Sequence, residues 1–329
     1  MTLHDLLLER DVLLADGAMG TSLFALGLET GDSPELWNVI HPERVREVHR
    51  GFIAAGADVV LTNSFGANRL RLKLHGLEQR VAELNRAAVE VARAAAHEAG
   101  RPVLVAGSIG PTGEILAPLG ACPWEDARGA FAEQADALAA AGADLLWIET
   151  LSSAEELEAA VTGAGQAGLP VVATMTFDTQ GRTMMGLTPA DAVALRTRLS
   201  PAPVAFGANC GVHPRDLVQS VRALAAASAP GDILVAKGNC GIPRYEDGEL
   251  HYDGTPAVMA DYAVAARDAG ARIIGGCCGT TADHLRAMAE ALATRPRGAS
   301  EPSPEPVTAG NAPTRRSNRR RGAAGPIGD

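Results

Sequence analysis

A single (β/α)8 TIM barrel over residues 1–295, with a disordered basic tail over residues 296–329, is the fold that this sequence predicts. Three observations carry it. Eight short β-branched or apolar runs recur along the chain. Ala/Leu/Arg/Glu-rich stretches with helical spacing separate them, and prolines and glycines mark helix starts and stops. Runs that are apolar throughout are buried on both faces, as in parallel sheets, and eight strand–helix units are what this barrel requires.

The elements follow in order. Val12–Asp16 (VLLAD) is the first strand, and an elaborated crossover leads to a helix opened by His41–Pro42–Glu43 and stopped at Gly56. Asp58–Asn63 (DVVLTN) is the second strand, and its helix, Leu77–Ala99, ends at Gly100. Pro102–Ser108 precedes a helix from Trp124 to Ala141, which stops at Gly142. Asp144–Glu149 precedes a helix from Ala154 to Ala167, which stops at Gly168. Pro170–Thr176, Pro203–Asn209 and Asp232–Gly238 are the next three strands. Pro189, Pro214 and Pro256 stand in the first turns of the helices that follow them. Gly270 ends the last of these helices before the final strand, Ala271–Gly276. Proline near a helix start and glycine just past its end is the expected asymmetry. A doubly wound open sheet is the competing arrangement, but no GxGxxG follows the first strand to support a nucleotide-binding version.

Composition narrows the function. With 47% hydrophobic and 21% charged residues, the chain can bury a sizeable core. The net charge is −10. The last 34 residues carry six arginines against three acids, so residues 1–295 are more acidic still. Nucleic acid is therefore not the expected partner of the body, and the RRSNRRR cluster reads as a solvated tail. No apolar run approaches the roughly 20 residues that span a bilayer. The opening MTLHDLLLERDVLLAD mixes acids and Arg10 among its leucines and is not expected to be a signal peptide. Five cysteines, an odd number, are expected to be reduced thiols in a cytoplasmic protein.

In such a barrel the chemistry collects at the carboxyl ends of the strands. Those ends read Asp16, Asn63, Ser108, Glu149, Thr176, Asn209–Cys210, Asn239–Cys240 and Cys277–Cys278, so four of the five cysteines and two acids share one rim. Three thiolates, Cys210, Cys277 and Cys278, can hold one zinc ion and leave its fourth position open, the mark of a catalytic site. From spacing alone, Cys277–Cys278 also fit small core residues or a vicinal disulfide. Cys240 fits a fourth ligand or a neighbour without a role, and Cys122 has no evident partner. By themselves, Asp16 reads equally as a turn cap and Glu149 as a strand-end cap.

The motifs DGAMGTSL (Asp16–Leu23), LTNSFGAN (Leu61–Asn68), GSIGPTGE (Gly107–Glu114), WIETLSS (Trp147–Ser153), GANCG (Gly207–Gly211) and GGCCGTT (Gly275–Thr281) run through the chain in this order. Together they resemble the homocysteine S-methyltransferases, most closely the bacterial betaine–homocysteine type. The likeness covers nearly all of residues 1–295 and implies the same barrel. It also implies zinc on Cys210, Cys277 and Cys278, with these three as the catalytic centre. A free thiol attacks poorly at neutral pH, and entry into an open zinc position removes its proton.

By the same resemblance Asp16 and Glu149 meet the ammonium group of homocysteine and the backbone at Gly17 and Ala18 meets its carboxylate, with Asn63 and Asn209 as supporting hydrogen-bonders. The methyl donor is expected to be a small onium, with glycine betaine first. Aromatic faces recognise quaternary ammonium groups; Phe24, Trp37, Phe65 and Tyr252 are the rim aromatics, and Trp37 and Phe65 are the two expected to face the donor. The animal betaine enzymes carry Phe-Tyr where this chain has Phe65–Gly66, and that departure counts against betaine. S-methylmethionine is the alternative donor. A methylated corrinoid would have to come from a separate protein. Two readings from other classes are a phosphate-binding barrel that uses GGCCGTT as an anion nest, and a homocysteine-binding sensor that makes no methionine.

Overall fold

The computed structural model describes residues 1–246 and 249–298. The expected disorder of residues 299–329 lies outside the described residues. Eight parallel strands form one sheet: β1 (Leu13–Leu14), β2 (Val59–Leu61), β3 (Leu104–Ile109), β4 (Leu145–Leu151), β5 (Val171–Met175), β6 (Ala205–Cys210), β7 (Leu234–Gly238) and β10 (Ala271–Gly276). The order β1-β10-β7-β6-β5-β4-β3-β2 is closed by a parallel bridge between Ala15 and Val59. The closed parallel barrel expected from the strand spacing is therefore the fold found. β1 is shorter than the apolar run Val12–Ala15, of which Ala15 forms the closing bridge, and β2 spans the apolar residues of DVVLTN.

The punctuation acts as its chemistry requires. Pro42, Pro189, Pro214 and Pro256 each open a helix. Gly142 and Gly270 take φ of 93° and 108°, where a side chain would be strained, and so turn the chain from helix into strand.

Strand periodicity sorts the side chains into two layers. Leu14, Val60, Val105, Leu146, Ala173, Phe206, Ala236 and Ile274 face outward and pack with the helices. Leu13, Ala15, Val59, Leu61, Leu104, Ala106, Leu145, Trp147, Val172, Ala205, Val235 and Ile273 face inward as a second cluster. Leu3, Leu6 and Leu7 of the amino-terminal helix Leu3–Glu9 join that inner cluster and plug the bottom of the barrel.

Two structures were not expected from the sequence. One is the plug helix. The other is an antiparallel ribbon between β7 and β10, made of β8 (Pro243–Glu246) and β9 (Glu249–Tyr252). Its signal was present as an Asp-Gly pair between RYE and ELHY. Pro296 and Arg297, at the start of the expected tail, are bonded to the barrel. The Arg267 guanidinium donates to the carbonyls of Arg295 and Pro296, each at 2.6 Å, and Arg297 pairs with Asp11 at 2.5 Å.

Leu6 is 2% exposed, so Leu6→Ala leaves a cavity in the plug. A loss of about 2–5 kcal/mol in chemical denaturation is expected. Because the plug closes the end opposite the rim, the effect should fall on stability and leave the structure of the rim unchanged. A stability loss well under 1 kcal/mol would show that the plug does not close the core.

Candidate active site

The two-residue period that makes the lower barrel apolar carries polar side chains to its top. Continuing inward from Ala106, Trp147, Val172, Gly207, Val235 and Gly275 come Ser108, Glu149, Thr174, Asn209, Lys237 and Cys277. A cavity of about 460 Å³ opens above them. Asp16, Gly17, Ala18, Asn63, Phe65, Glu149, Cys210, Cys277 and Cys278 all line it. These residues come from strand ends far apart in sequence, and closure of the barrel brings them together.

Asp16 and Lys237 form the floor. Lys237 Nζ donates to Asp16 Oδ1 at 2.6 Å, both side chains are almost fully buried, and Asp16 Oδ2 accepts the Leu61 N–H at 2.7 Å. Lys237 Nζ also lies 5.5 Å from the centre of the Trp147 ring. Burial works against the Lys237 charge, but Asp16 and Glu149 outweigh it and raise its pKa. Burial likewise raises Asp16, with Lys237 and the Leu61 amide opposing. Glu149 is pushed up to about 7, chiefly by burial, although Lys237 and the Ser108 hydroxyl, which donates to Oε1 at 2.6 Å, pull the other way.

The sulfur cluster stands beside this floor. The ligand atoms of Cys210, Cys277 and Cys278 lie within 4.8 Å of one another, and Cys210 Sγ is 3.1 Å from Cys277 Sγ. Backbone bonds set the geometry: Cys277 N donates to Gly238 O at 2.7 Å, and Cys278 N donates to Asn239 Oδ1 at 3.0 Å. Strand alternation would point Cys210 outward, away from Asn209. A φ of 59° at Cys210 breaks that alternation and turns its thiol toward the others. A left-handed non-glycine residue costs about 1 kcal/mol or more, and such strain concentrates at functional sites.

The donor set fits zinc. Thiolates at about 2.3 Å from a tetrahedral zinc stand about 3.8 Å apart, inside the span of this cluster. Three thiols this close also resist ionising together. Hydrogen bonds from Cys210 and Cys277 hold the Cys278 thiol far below its ordinary value, while Cys277 and Cys278 raise Cys210 well above its own. A divalent cation relieves that conflict.

Asn209 does not line the cavity; it braces it from below. Its Oδ1 accepts the Thr150 N–H at 2.9 Å and the Thr174 hydroxyl at 2.7 Å, and its Nδ2 donates to Thr150 Oγ1 at 2.7 Å. This clamp holds Thr150 at φ 68°, a strained value for a β-branched residue, next to Glu149. Asn63 fastens the first crossover, donating to Pro34 O at 2.7 Å while its carbonyl accepts from Asn38 Nδ2 at 2.7 Å. Gly17 is held by close approach, because a Cβ there would meet Thr280 O at 2.5 Å. The Ala18 N–H is committed to Thr280 O at 3.0 Å.

Two of the singled-out residues lie away from the sulfur cluster and cavity. Trp37 is 4% exposed and does not line the cavity; the Arg44 guanidinium lies 5.1 Å above its ring. Cys240 is buried behind the cluster, 3.2 Å from Gly254 O and 3.3 Å from His284 Nε2. It ties the return of the ribbon to the last helix. The aromatic side chains of the cavity are instead Phe24, Phe65 and Tyr252, the last delivered by β9. Sequence reasoning passed over Lys237 and Glu35. The signal for Lys237 was a lysine inside the apolar run DILVAKG.

A closed parallel barrel with a three-thiol cluster that could hold a metal, and a charged cavity at the carboxyl ends of its strands, is the class of protein that the fold and site define. A family model described as homocysteine S-methyltransferase matches residues 13–292, and the chain belongs to that family. It is 33% identical to methionine synthase of Mycobacterium tuberculosis over 322 residues, which covers 92% of this chain and 26% of that protein. The chain thus spans about a quarter of the length of that relative. The metallated form of the homocysteine methyltransferase MmuM from Escherichia coli superposes with a TM-score of 0.73 at 32% identity, covering 87% of this chain and 98% of that one. The apo form of the same protein gives 0.69 at 29% identity, covering 88% and 99%.

Glu149 supplies a test of this floor. Its folded pKa of about 7 lies above the ordinary glutamate value of 4.5. Between those values the folded state keeps a proton that the unfolded state has lost, so the group costs stability as pH rises through that window. Glu149→Gln is therefore expected to raise the Tm of the metal-free protein at pH 8, by an effect on the order of 1–3 kcal/mol, and to leave it unchanged near pH 4.5. Thermal melts across pH read this directly, and a lower Tm at pH 8 would contradict the burial account.

Proposed function

We propose that this chain is an enzyme that transfers a methyl group from a small onium donor to the thiol of homocysteine, giving methionine. The observation that carries the reading is the placement of a three-thiol cluster and a charged amino-acid pocket in one cavity, in a chain that belongs to this family. Cys210, Cys277 and Cys278 would hold zinc, which supplies the Lewis acidity that lets an incoming thiol lose its proton at neutral pH.

The chain's own residues do the rest. Glu149 and Asp16 draw the substrate's ammonium to the floor and so place its sulfur toward the cluster. Asn209 fixes the strained turn that aims Glu149. Phe24, Phe65 and Tyr252 offer ring faces to a cationic donor and keep water from the transfer path. The substrate sulfur attacks the methyl carbon in line. The new S–C bond forms as the bond from that carbon to the onium atom breaks, and the donor leaves as a neutral amine or sulfide with the electron pair. Holding both partners in this alignment supplies much of the acceleration.

Glycine betaine is the first donor to test. One feature favours S-methylmethionine beside it. Glu35 lines the cavity, accepting from Gly66 N at 2.7 Å and Ser33 Oγ at 2.8 Å. A carboxylate there suits a donor that carries an ammonium group as well as its onium centre.

Two measurements check the proposal. Cys210→Ala, Cys277→Ala and Cys278→Ala are each expected to lose stoichiometric zinc and turnover, whereas Cys240→Ala should keep both at a modest stability loss. Full activity in a Cys277→Ala protein would sink the assignment. The second presents betaine, S-methylmethionine, dimethylsulfoniopropionate and 5-methyltetrahydrofolate in parallel to the zinc-loaded protein with homocysteine. Methionine is expected from an onium donor and not from the anionic folate. Phe65→Ala should then lower kcat/KM for the donor about tenfold or more while homocysteine binding holds. Methionine formed only with a methylated corrinoid protein would overturn the onium reading, and tight homocysteine binding with no product would favour a sensor.

A further inference from the structure

Lys237 is the only basic residue among those lining the cavity. Its position is unusual: an ammonium group 3% exposed, on the inward face of a barrel strand, beside two buried carboxylates. An ammonium carries three N–H donors. Asp16 Oδ1 takes one at 2.6 Å, and Nζ meets no other hydrogen-bond acceptor among the described residues. The Trp147 ring covers one side of the group at 5.5 Å, and the cavity lies on the other. A buried donor without an acceptor costs free energy that a ligand oxygen recovers.

Charge decides which ligand. Asp16, Lys237 and Glu149 together leave one negative charge when both acids are ionised, so a plain anion is repelled from the floor and a plain cation leaves Lys237 unanswered. A zwitterion whose ammonium meets Glu149 and whose carboxylate meets Lys237 satisfies every group. Two acids beside the lysine keep it charged, which makes it an anchor for an anion and not a nucleophile.

We propose that Lys237 binds the carboxylate of the amino-acid thiol and is the residue that makes the enzyme require a carboxylate on its methyl acceptor. The placement leaves room for the Gly17 amide at the same carboxylate, since Gly17 adjoins Asp16 on the cavity wall. This inference rests on the methyl-transfer reading above and adds to it the part of the acceptor that is selected.

The test compares homocysteine with 3-aminopropanethiol, which keeps the thiol and the ammonium but lacks the carboxylate. The readout is the ratio of kcat/KM for the two thiols, with calorimetric Kd values for both as an assay independent of turnover. The ratio cancels any general loss of folding or of ammonium recognition. The wild-type protein is expected to favour homocysteine by roughly 100-fold or more, the usual size of a buried charge-assisted contact. Lys237→Met should bring the ratio near unity. Removing Asp16's partner disturbs Asp16 as well, so Asp16→Asn and the double variant Asp16→Asn/Lys237→Met are measured in parallel. The ratio should persist in the first and collapse in the second. A ratio unchanged by loss of Lys237 in either background overturns the proposal, as does a wild-type protein that binds both thiols equally. A wild-type protein that binds homocysteine selectively but methylates neither thiol defeats the methyl-transfer reading and leaves this assignment standing on the binding data.

Discussion

Closure of eight parallel strands on one another is the constraint from which the rest of this molecule follows. Once Ala15 bridges Val59, every second side chain of every strand enters one narrow interior. At the lower levels that interior is filled by Leu13, Leu104, Leu145, Trp147 and Ile273, with Leu3, Leu6 and Leu7 across its open end. Space there is tight enough that a Cβ on Gly207 would stand 2.0 Å from Val235 O. The same alternation, carried two residues further, delivers polar side chains into a volume that water reaches only from above. Polar groups brought there must find partners within the protein or in a ligand.

That requirement explains the electrostatics of the floor. Replacing a buried ion pair by apolar residues is often neutral or stabilising, so an Asp16–Lys237 pair is weakly accounted for by stability alone. Glu149 carries the same message, since burial raises its pKa to about 7 in a place where a glutamine would rest more easily. Charges maintained against their own desolvation, around a cavity of about 460 Å³, point to a ligand whose charges complement them.

The sulfur cluster stores strain in the same way. Cys210 and Thr150 both hold positive φ, and Asn209 clamps Thr150 from beneath while approaching Cys277 Sγ at 3.9 Å. Supporting groups thus fix the positions of the thiols and of Glu149 together, which the proposed transfer would need more than any single strong contact.

Much of this was legible in the residues. Apolar runs of strand length, with proline and glycine around the intervening helices, determined the barrel, because a strand buried on both faces has one kind of sequence. Cysteines and acids at the ends of those runs marked the rim, and the order of motifs marked the family. What the sequence could not decide was which side chains meet. Trp37 and Phe65 looked alike as rim aromatics, yet the first crossover folds Trp37 beneath Arg44 while Phe65 reaches the cavity. Cys240 and Cys210 both follow strands, yet a positive φ turns one thiol into the cluster and a bond to Gly254 O turns the other away. Lys237 read as an ordinary strand residue until its partner, 221 positions earlier, was brought to within 2.6 Å. Local sequence sets the period of each strand, but only closure of the barrel sets which periods coincide, and the chemistry depends on that coincidence.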